Sequence, residues 1–299
     1  MNKYQGALIA PPKAGDYLAG ESPIKYEERN KTGLWPVPSE ERQFLRKSLV
    51  DVQACVTFSA LNSIESQIFF LTGKWMNFSD RFIAKLSGTT KTGNYLNVVA
   101  ETIRQYGLVS EELWPTREDM TWDEYYAEIP AEIIARGQEF IQEFEIAYEW
   151  VVYGQGNETA LLWHLKQAPL QLAITCCPGY GQPKEVPSCS GQVQHAVMLS
   201  GIDNNFNIFD HYEPFQKELA RDYQINWALK LIVNKKKGDS IVSNAKIAKH
   251  GSEYGFFIPA TTPEALISYG KNFARHIPHT DDHTVTWNEL KPEVEVRDL

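Results

Sequence analysis

From Cys55 onward, apolar residues recur at helical spacing: Phe58, Leu61, Ile64, Ile68 and Leu71 share a face, and Thr72-Gly73 supplies a stop. The spacing predicts a helix of about five turns, with Asp51 just upstream as its cap and Cys55 in or next to the first turn. A second helix is predicted in "NFSDRFIAKLSG" with Ser79 as cap, and a third in "NYLNVVAETIRQYG", where Leu96, Val99, Ile103 and Tyr106 share a face ahead of Gly107. Another is predicted near Ala131 to Ile141. The period then changes. "EIAYEWVVYG" reads as a strand and "ETALLWHLKQ" as a short helix; "PLQLAIT", "HAVMLSGID", "FNIFDHY" and "WALKLIVN" have strand length and β-branched or aromatic content. The turn "DNNFN" joins two of these as a hairpin. Helices first and strands later imply an α+β protein with a helical lobe and an antiparallel β lobe. Beyond Asn234, "YGFFIPATTPEALISYGKNFARHI" carries a strand-like run and then a helix start at Thr262-Pro263-Glu264.

Composition narrows the function classes. A net charge of −9 over 299 residues excludes a nucleic-acid binder, because phosphate neutralisation needs a cationic face. The one basic run, Lys235 to Lys237, reads as a solvated linker. Apolar stretches fall well short of the ~20 residues a bilayer requires, so no membrane segment is expected. "MNKYQGALIAPPKAGDY" is no secretion signal, which points to synthesis in a cytosol, where thiols stay reduced.

The cysteines at positions 55, 176, 177 and 189 form no CxxC pair and no disulfide ladder. Cys176 and Cys177 read as strand-end packing. "HIPHTDDH", with His276, His279 and His283, has the composition of a solvated loop, and no metal or other cofactor is expected. His164 reads as a surface residue of its helix, and His211 as a structural residue on the strand face opposite Asp210.

A thiol at a helix N-terminus is stabilised as thiolate by unpaired backbone N–H groups and the helix dipole. It becomes a nucleophile when a base is close. His195 opens a predicted strand and Asp210 ends the next; neighbouring antiparallel strands would let the carboxylate orient an imidazole paired with Cys55. On spacing alone, Cys55 is open between buried core and nucleophile.

"CVTFSALNSIE" resembles the nucleophile helix of papain-like cysteine peptidases. The resemblance continues in order through "FSDRFIAKLSG", "GNYLNVVAETIRQYGLVSEELWP", "ETALLWHLKQAPLQLAI", "CSGQVQHAVMLSGID" and "NIFDHYEP", over roughly residues 51 to 233. It implies the papain-like two-lobed fold over residues 46–233, with a helical lobe at about 46–145 and a β lobe at about 146–233. Residues 1–45 would be an N-terminal arm packing on the body or inhibiting it, and 234–299 a C-terminal extension. It also implies thiol-dependent hydrolysis of peptide or amide bonds, with Cys55 as nucleophile, His195 as base and later acid, and Asp210 where the family usually has Asn. Tyr212 stands where the family has a shielding tryptophan.

The departures concern substrate handling. Leu49 sits where the family places its oxyanion glutamine, leaving Gln43, preferred, and Gln53 as candidates; losing such a donor costs about 10² to 10³ in rate. Of the glycine-rich strip that binds substrate backbone, Gly93 remains, beside Asn94. The tail motif "TTPEALISYGKNF" and the missing signal and long propeptide are similar to papain-like proteins of bacteriophages. That resemblance implies virion association and virion-protein partners besides a peptide substrate. A virion structural protein with little turnover, or a peptidoglycan cross-link endopeptidase, are the alternatives.

Overall fold

The computed structural model describes residues 6–24, 28–176, 180, 185–186, 191–192 and 194–236, together with the backbone of residues 246–250 and 253–257. The chain divides after Lys236 into two units, and each is described by itself.

The first unit begins with β1 (Ala7–Leu8) and a hairpin of β2 (Phe44–Leu45) and β3 (Val50–Asp51). The helical lobe follows, as α1 (Cys55–Thr72), α2 (Asp80–Leu86), β4 (Asn94–Tyr95), α3 (Leu96–Tyr106), α4 (Trp122–Tyr125) and α5 (Ala131–Glu143). Its boundaries follow local chemistry. Gly73 ends α1 in the left-handed region (φ 70°) and donates its N–H to the Phe69 carbonyl. Ser79 caps α2 by accepting from Phe82 N. Gly107 ends α3 because nothing larger fits: a Cβ there would lie 1.9 Å from the Gly137 carbonyl of α5.

Asp51 does not cap α1. Ala54 occupies the cap position without a side-chain bond, and Asp51 instead accepts from Gln53 N and Gln43 Nε2, both at 3.0 Å. The cause is Gln53, whose left-handed backbone (φ 54°) turns the carboxylate away from the helix.

The β lobe contains β5 (Phe144–Tyr153), α6 (Glu158–Leu165), β6 (Leu170–Ile174), β7 (Glu185–Val186), β8 (His195–Ile202), β9 (Phe206–Phe209), β10 (Gln216–Leu219) and β11 (Trp227–Lys235). The sheet order is β5-β11-β6-β8-β9-β10-β7, antiparallel except for the parallel β10–β7 pair. Alternation along the strands serves two cores. Leu172, Val197 and Leu199 face α6, whereas Ala173, Ala196, Leu229 and Leu231 face α1. Small residues under α1 let the helix approach closely, and every α1 residue from Cys55 to Ile68 is buried. Two polar contacts tie it to the sheet: Gln67 Nε2 donates to the Leu231 carbonyl (3.1 Å), and Gln171 Nε2 from β6 donates to the Val56 carbonyl (2.6 Å).

His164 is buried, contrary to the sequence expectation. It shares a face with Leu161 and Leu165, which pack on the sheet, while Trp163 takes the solvent position. Its Nδ1 lies 2.9 Å from Lys230 Nζ, itself paired with Glu149 at 2.7 Å. Burial, with Lys230 nearby, lowers its pKa to about 4, so the ring is a neutral acceptor.

In the second unit, β12 (Lys246–His250) pairs antiparallel with β13 (Glu253–Phe257), where a strand-like run was expected. The predicted helix start at Thr262, the loop "HIPHTDDH", Cys177 and Cys189 lie outside the described residues. Among the described residues, no helix is long and apolar enough to cross a membrane.

Candidate active site

Cys55 is the first residue of α1 and is fully buried. Because α1 lies across the sheet, its N-terminus meets the start of β8, where His195 stands. Asp210 follows β9, the antiparallel neighbour of β8, and comes level with His195. The Nε2 atom of His195 lies 2.7 Å from Asp210 Oδ1, and Cys55 lies close enough to the same ring to raise its pKa. Three groups far apart in sequence thus stand in line: thiol, imidazole, carboxylate.

The surroundings fix the line. The Tyr212 ring packs on His195 at 5.4 Å between centroids, with Tyr180 at 5.8 Å. His211 is placed differently from the sequence expectation: its ring is 6.1 Å from His195 and 4.9 Å from Phe58, because β9 has ended and strand alternation no longer governs it. Burial lowers its pKa to about 3, so it adds no charge. Burial by itself would also lower the His195 pKa, but the Asp210 charge, the hydrogen bond to Asp210 and the nearby Cys55 outweigh it and raise the pKa to about 10. Burial pushes the Asp210 carboxyl up; His195 and Lys217 overcome this and hold it well below the usual carboxylate range.

Gln43 and Gln53 are both buried. The hairpin pairs Phe44 with Asp51 and Leu45 with Val50, so the residues between are looped out and Gln43 comes beside Val52, whose N–H donates to its carbonyl at 3.1 Å. Gln43 Nε2 donates to Asp51 Oδ1 and to Tyr212 Oη (2.5 Å), on the tyrosine that covers His195. Gln53 is held in its left-handed conformation with its N–H on Asp51.

Gly93 and Asn94 carry the protein's own N-terminal segment. β1 runs parallel to β4, and Asn94 N–H donates to the Gly6 carbonyl at 2.9 Å. From the other wall, the Gln194 carbonyl accepts from Ala7 N–H at 3.0 Å. The segment therefore bridges the walls over the thiol. A Cβ on Gly6 would lie 2.9 Å from Cys55 Sγ, and one on Gly93 would lie 1.9 Å from the Gly6 carbonyl oxygen. Further along, Gly20 N–H donates to Glu149 and Asp16 accepts from Tyr148 and Asn97, so the arm is tied to the body. Sequence reasoning singled out neither Gly6 nor Lys217, and neither lies in a motif.

No family model matches the sequence, and no curated protein matches it. Its structure is similar to papain-like cysteine proteases. The Amb a 11 cysteine protease, a major ragweed pollen allergen, in its proform, matches with TM-score 0.50 at 16% identity, over 72% of this chain and 67% of that chain. Bromelain from Ananas comosus matches at 0.48 and 17%, over 66% and 94%, and procathepsin L 3 of Tenebrio molitor larval midgut at 0.48 and 17%, over 73% of each chain. The likeness to the ragweed protease gives the fold: this chain has the α+β, two-lobed papain-like architecture.

Proposed function

We propose that this protein hydrolyses peptide bonds, with Cys55 as nucleophile, His195 as proton carrier and Asp210 as its orienter. The observation that carries the reading is the buried line from Cys55 through His195 to Asp210 Oδ1. The Cys55 thiolate attacks the scissile carbonyl carbon; a C–S bond forms and the electron pair moves to oxygen. Cys55 N–H stabilises that oxyanion, joined by the Gln43 side-chain amide once it releases one of its two bonds, to Asp51 or to Tyr212. Gln43 is preferred to Gln53 because the hairpin returns it to Tyr212, beside the imidazole. The His195 imidazolium then gives its proton to the leaving amine as the C–N bond breaks. Water, deprotonated by His195, attacks the thioester and releases the carboxylic acid and the thiolate.

An extended peptide backbone is the substrate that Gly93, Asn94 and the Gln194 carbonyl suit, since these groups already pair with backbone from the arm. The arm competes for that position, as an inhibiting segment does. A thiol-reactive peptidyl probe on the full chain tests both points. Cys55 should be labelled in the wild type and at least about tenfold more slowly in His195→Ala; equal rates remove the peptidase reading. Gly6→Val, whose Cβ meets Sγ, should be labelled about tenfold faster, equivalent to ~1.4 kcal/mol lost from the covered state. An unchanged rate would remove the competing arm.

A further inference from the structure

The carboxylate behind His195 is bonded on every side. Asp210 Oδ1 accepts from His195 Nε2 (2.7 Å) and from His211 N–H (2.6 Å). Oδ2 accepts from Tyr180 Oη (2.6 Å) and from Lys217 Nζ (2.7 Å). A carboxylate has about four lone-pair sites, so all are used, and rotating it to exchange its oxygens would break all four bonds. Lys217 sits on β10 opposite Ile208 of β9, and the turn between the strands is closed by Asp210 N–H donating to the Phe215 carbonyl (2.8 Å). That return brings the ammonium directly under Asp210. Lys217 also donates to the Tyr212 carbonyl (2.6 Å) and lies 5.2 Å from the centre of the Tyr180 ring.

Both members of this ion pair are completely buried. An ammonium removed from water costs several kcal/mol, and "QKEL" sits on a strand where an apolar residue would fill the position without that cost. The charges give the reason for a lysine. In the reactive state the thiolate and Asp210 are each −1, and the imidazolium and Lys217 are each +1, so the buried site is neutral. Without Lys217 it would hold one uncompensated negative charge. That charge would overstabilise the imidazolium and make it a poorer acid toward the leaving amine.

We propose that Lys217 is a positioning residue of this active site. Its ammonium offsets part of the charge of Asp210 and pins the carboxylate, so that the Asp210–Lys217 pair presents to His195 a fixed hydrogen-bond acceptor less negative than a lone carboxylate. This rests on Cys55 and His195 being the reacting pair. Among the described residues, the other titratable groups facing the site include His211, Tyr180, Tyr212 with its partner Asp51, Tyr126 and Cys176. None of these supplies the missing cation: His211 is neutral, and the rest are neutral or acidic.

The test is the ring-nitrogen NMR titration of His195 in full-length protein, assigned by its loss in His195→Asn, alongside kcat, KM and the pH profile. Lys217→Met should raise the His195 midpoint above wild type by about one pH unit and lower kcat on the order of tenfold or more, with KM little changed. Asp210→Asn, which leaves the lysine uncompensated, should shift the midpoint below wild type. Asp210→Asn/Lys217→Met, a neutral amide beside an apolar side chain, should bring the midpoint back above that of Asp210→Asn, between the two single variants, and recover kcat relative to either of them. If Lys217→Met does not fold, the double variant against Asp210→Asn decides by the same ordering. A midpoint that ignores Lys217, with only the melting temperature changed, makes the lysine a structural strut and overturns the proposal. The titration does not need turnover. The predicted ordering in a protein that cleaves no peptide would remove the peptidase reading alone, and an active enzyme without the ordering would remove the role of Lys217 alone.

Discussion

Burial leaves Asp210 and a second set of carboxylates, Glu65, Asp80 and the partly buried Glu111, shifted in opposite directions. Asp210 is fully buried yet held ionised, because His195 and Lys217 bond to it. On the other side of α1, Glu65, Asp80 and Glu111 form a second group, and among the described residues no lysine or arginine makes a salt bridge to them. Burial raises Glu65 and Asp80 well above the carboxylate range and Glu111 to about 7, with Glu41 adding repulsion. Arg81 is close, but its guanidinium is spent on the carbonyls of Pro115, Glu124 and Tyr125. The second group works as a set of hydrogen-bonding struts, with Glu65 accepting from Phe78 N–H and Glu111 from Thr116 N–H. The difference teaches that burial alone neutralises a carboxylate here. A charge at Asp210 exists only because the fold delivers cations to it, which is a cost that a structural strut would not require.

The comparison breaks most sharply at Asp210. Asp210→Ala leaves Lys217 buried and unpaired and His195 unoriented. It should lose about 10² to 10⁴ in kcat/KM and about 3–5 kcal/mol of stability, read by peptide hydrolysis and urea unfolding. A loss of activity without loss of stability would contradict the account of the ion pair.

A smaller effect, of opposite character, belongs to the unpaired group. The folded pKa of Glu111 lies above its unfolded value, so its contribution is full below about 4.5 and is lost as pH rises through about 7. Glu111→Gln should remove that dependence and raise stability at pH 8 by on the order of 2 kcal/mol, measured as urea midpoints against pH. Asp210 has the other sign, its contribution being present above ~3.8 and lost in acid. His195, raised to about 10, contributes fully below ~6.5 and loses that contribution as pH rises toward 10. The smallest effect is expected where a carboxylate is paired but wet: Glu213 bridges Arg42 and Arg46 at 2.6 and 2.7 Å on the surface, and Glu213→Gln should leave the melting temperature unchanged within error.

Much of the frame was legible in the sequence. The helix from Cys55 to Thr72, its stop at Gly73, the Ser79 cap and the strands β5, β6, β8, β9 and β11 follow from periodicity and local capping, which act over a few residues. β10 and the two-residue strands carry no strand pattern of their own: in "QKEL" three of four residues are polar, and the partner that buries Lys217 lies outside any local window. His164 stands three residues after Leu161 and beside Leu165, offsets that put it on the packed face of its helix. Asp51 was misassigned because the left-handed turn at Gln53 has no sequence signal in a non-glycine residue.

The sequence by itself determined the element types, the α+β order and the candidate set of Cys55, His195 and Asp210, since each depends on local pattern or on ordered resemblance. Only the tertiary structure decided what surrounds that set. The hairpin that returns Gln43, the segment that lays Gly6 over the thiol, and the strand that carries Lys217 to Asp210 all join residues distant along the chain. Such contacts are fixed by sheet register and lobe packing, which no local window of sequence contains.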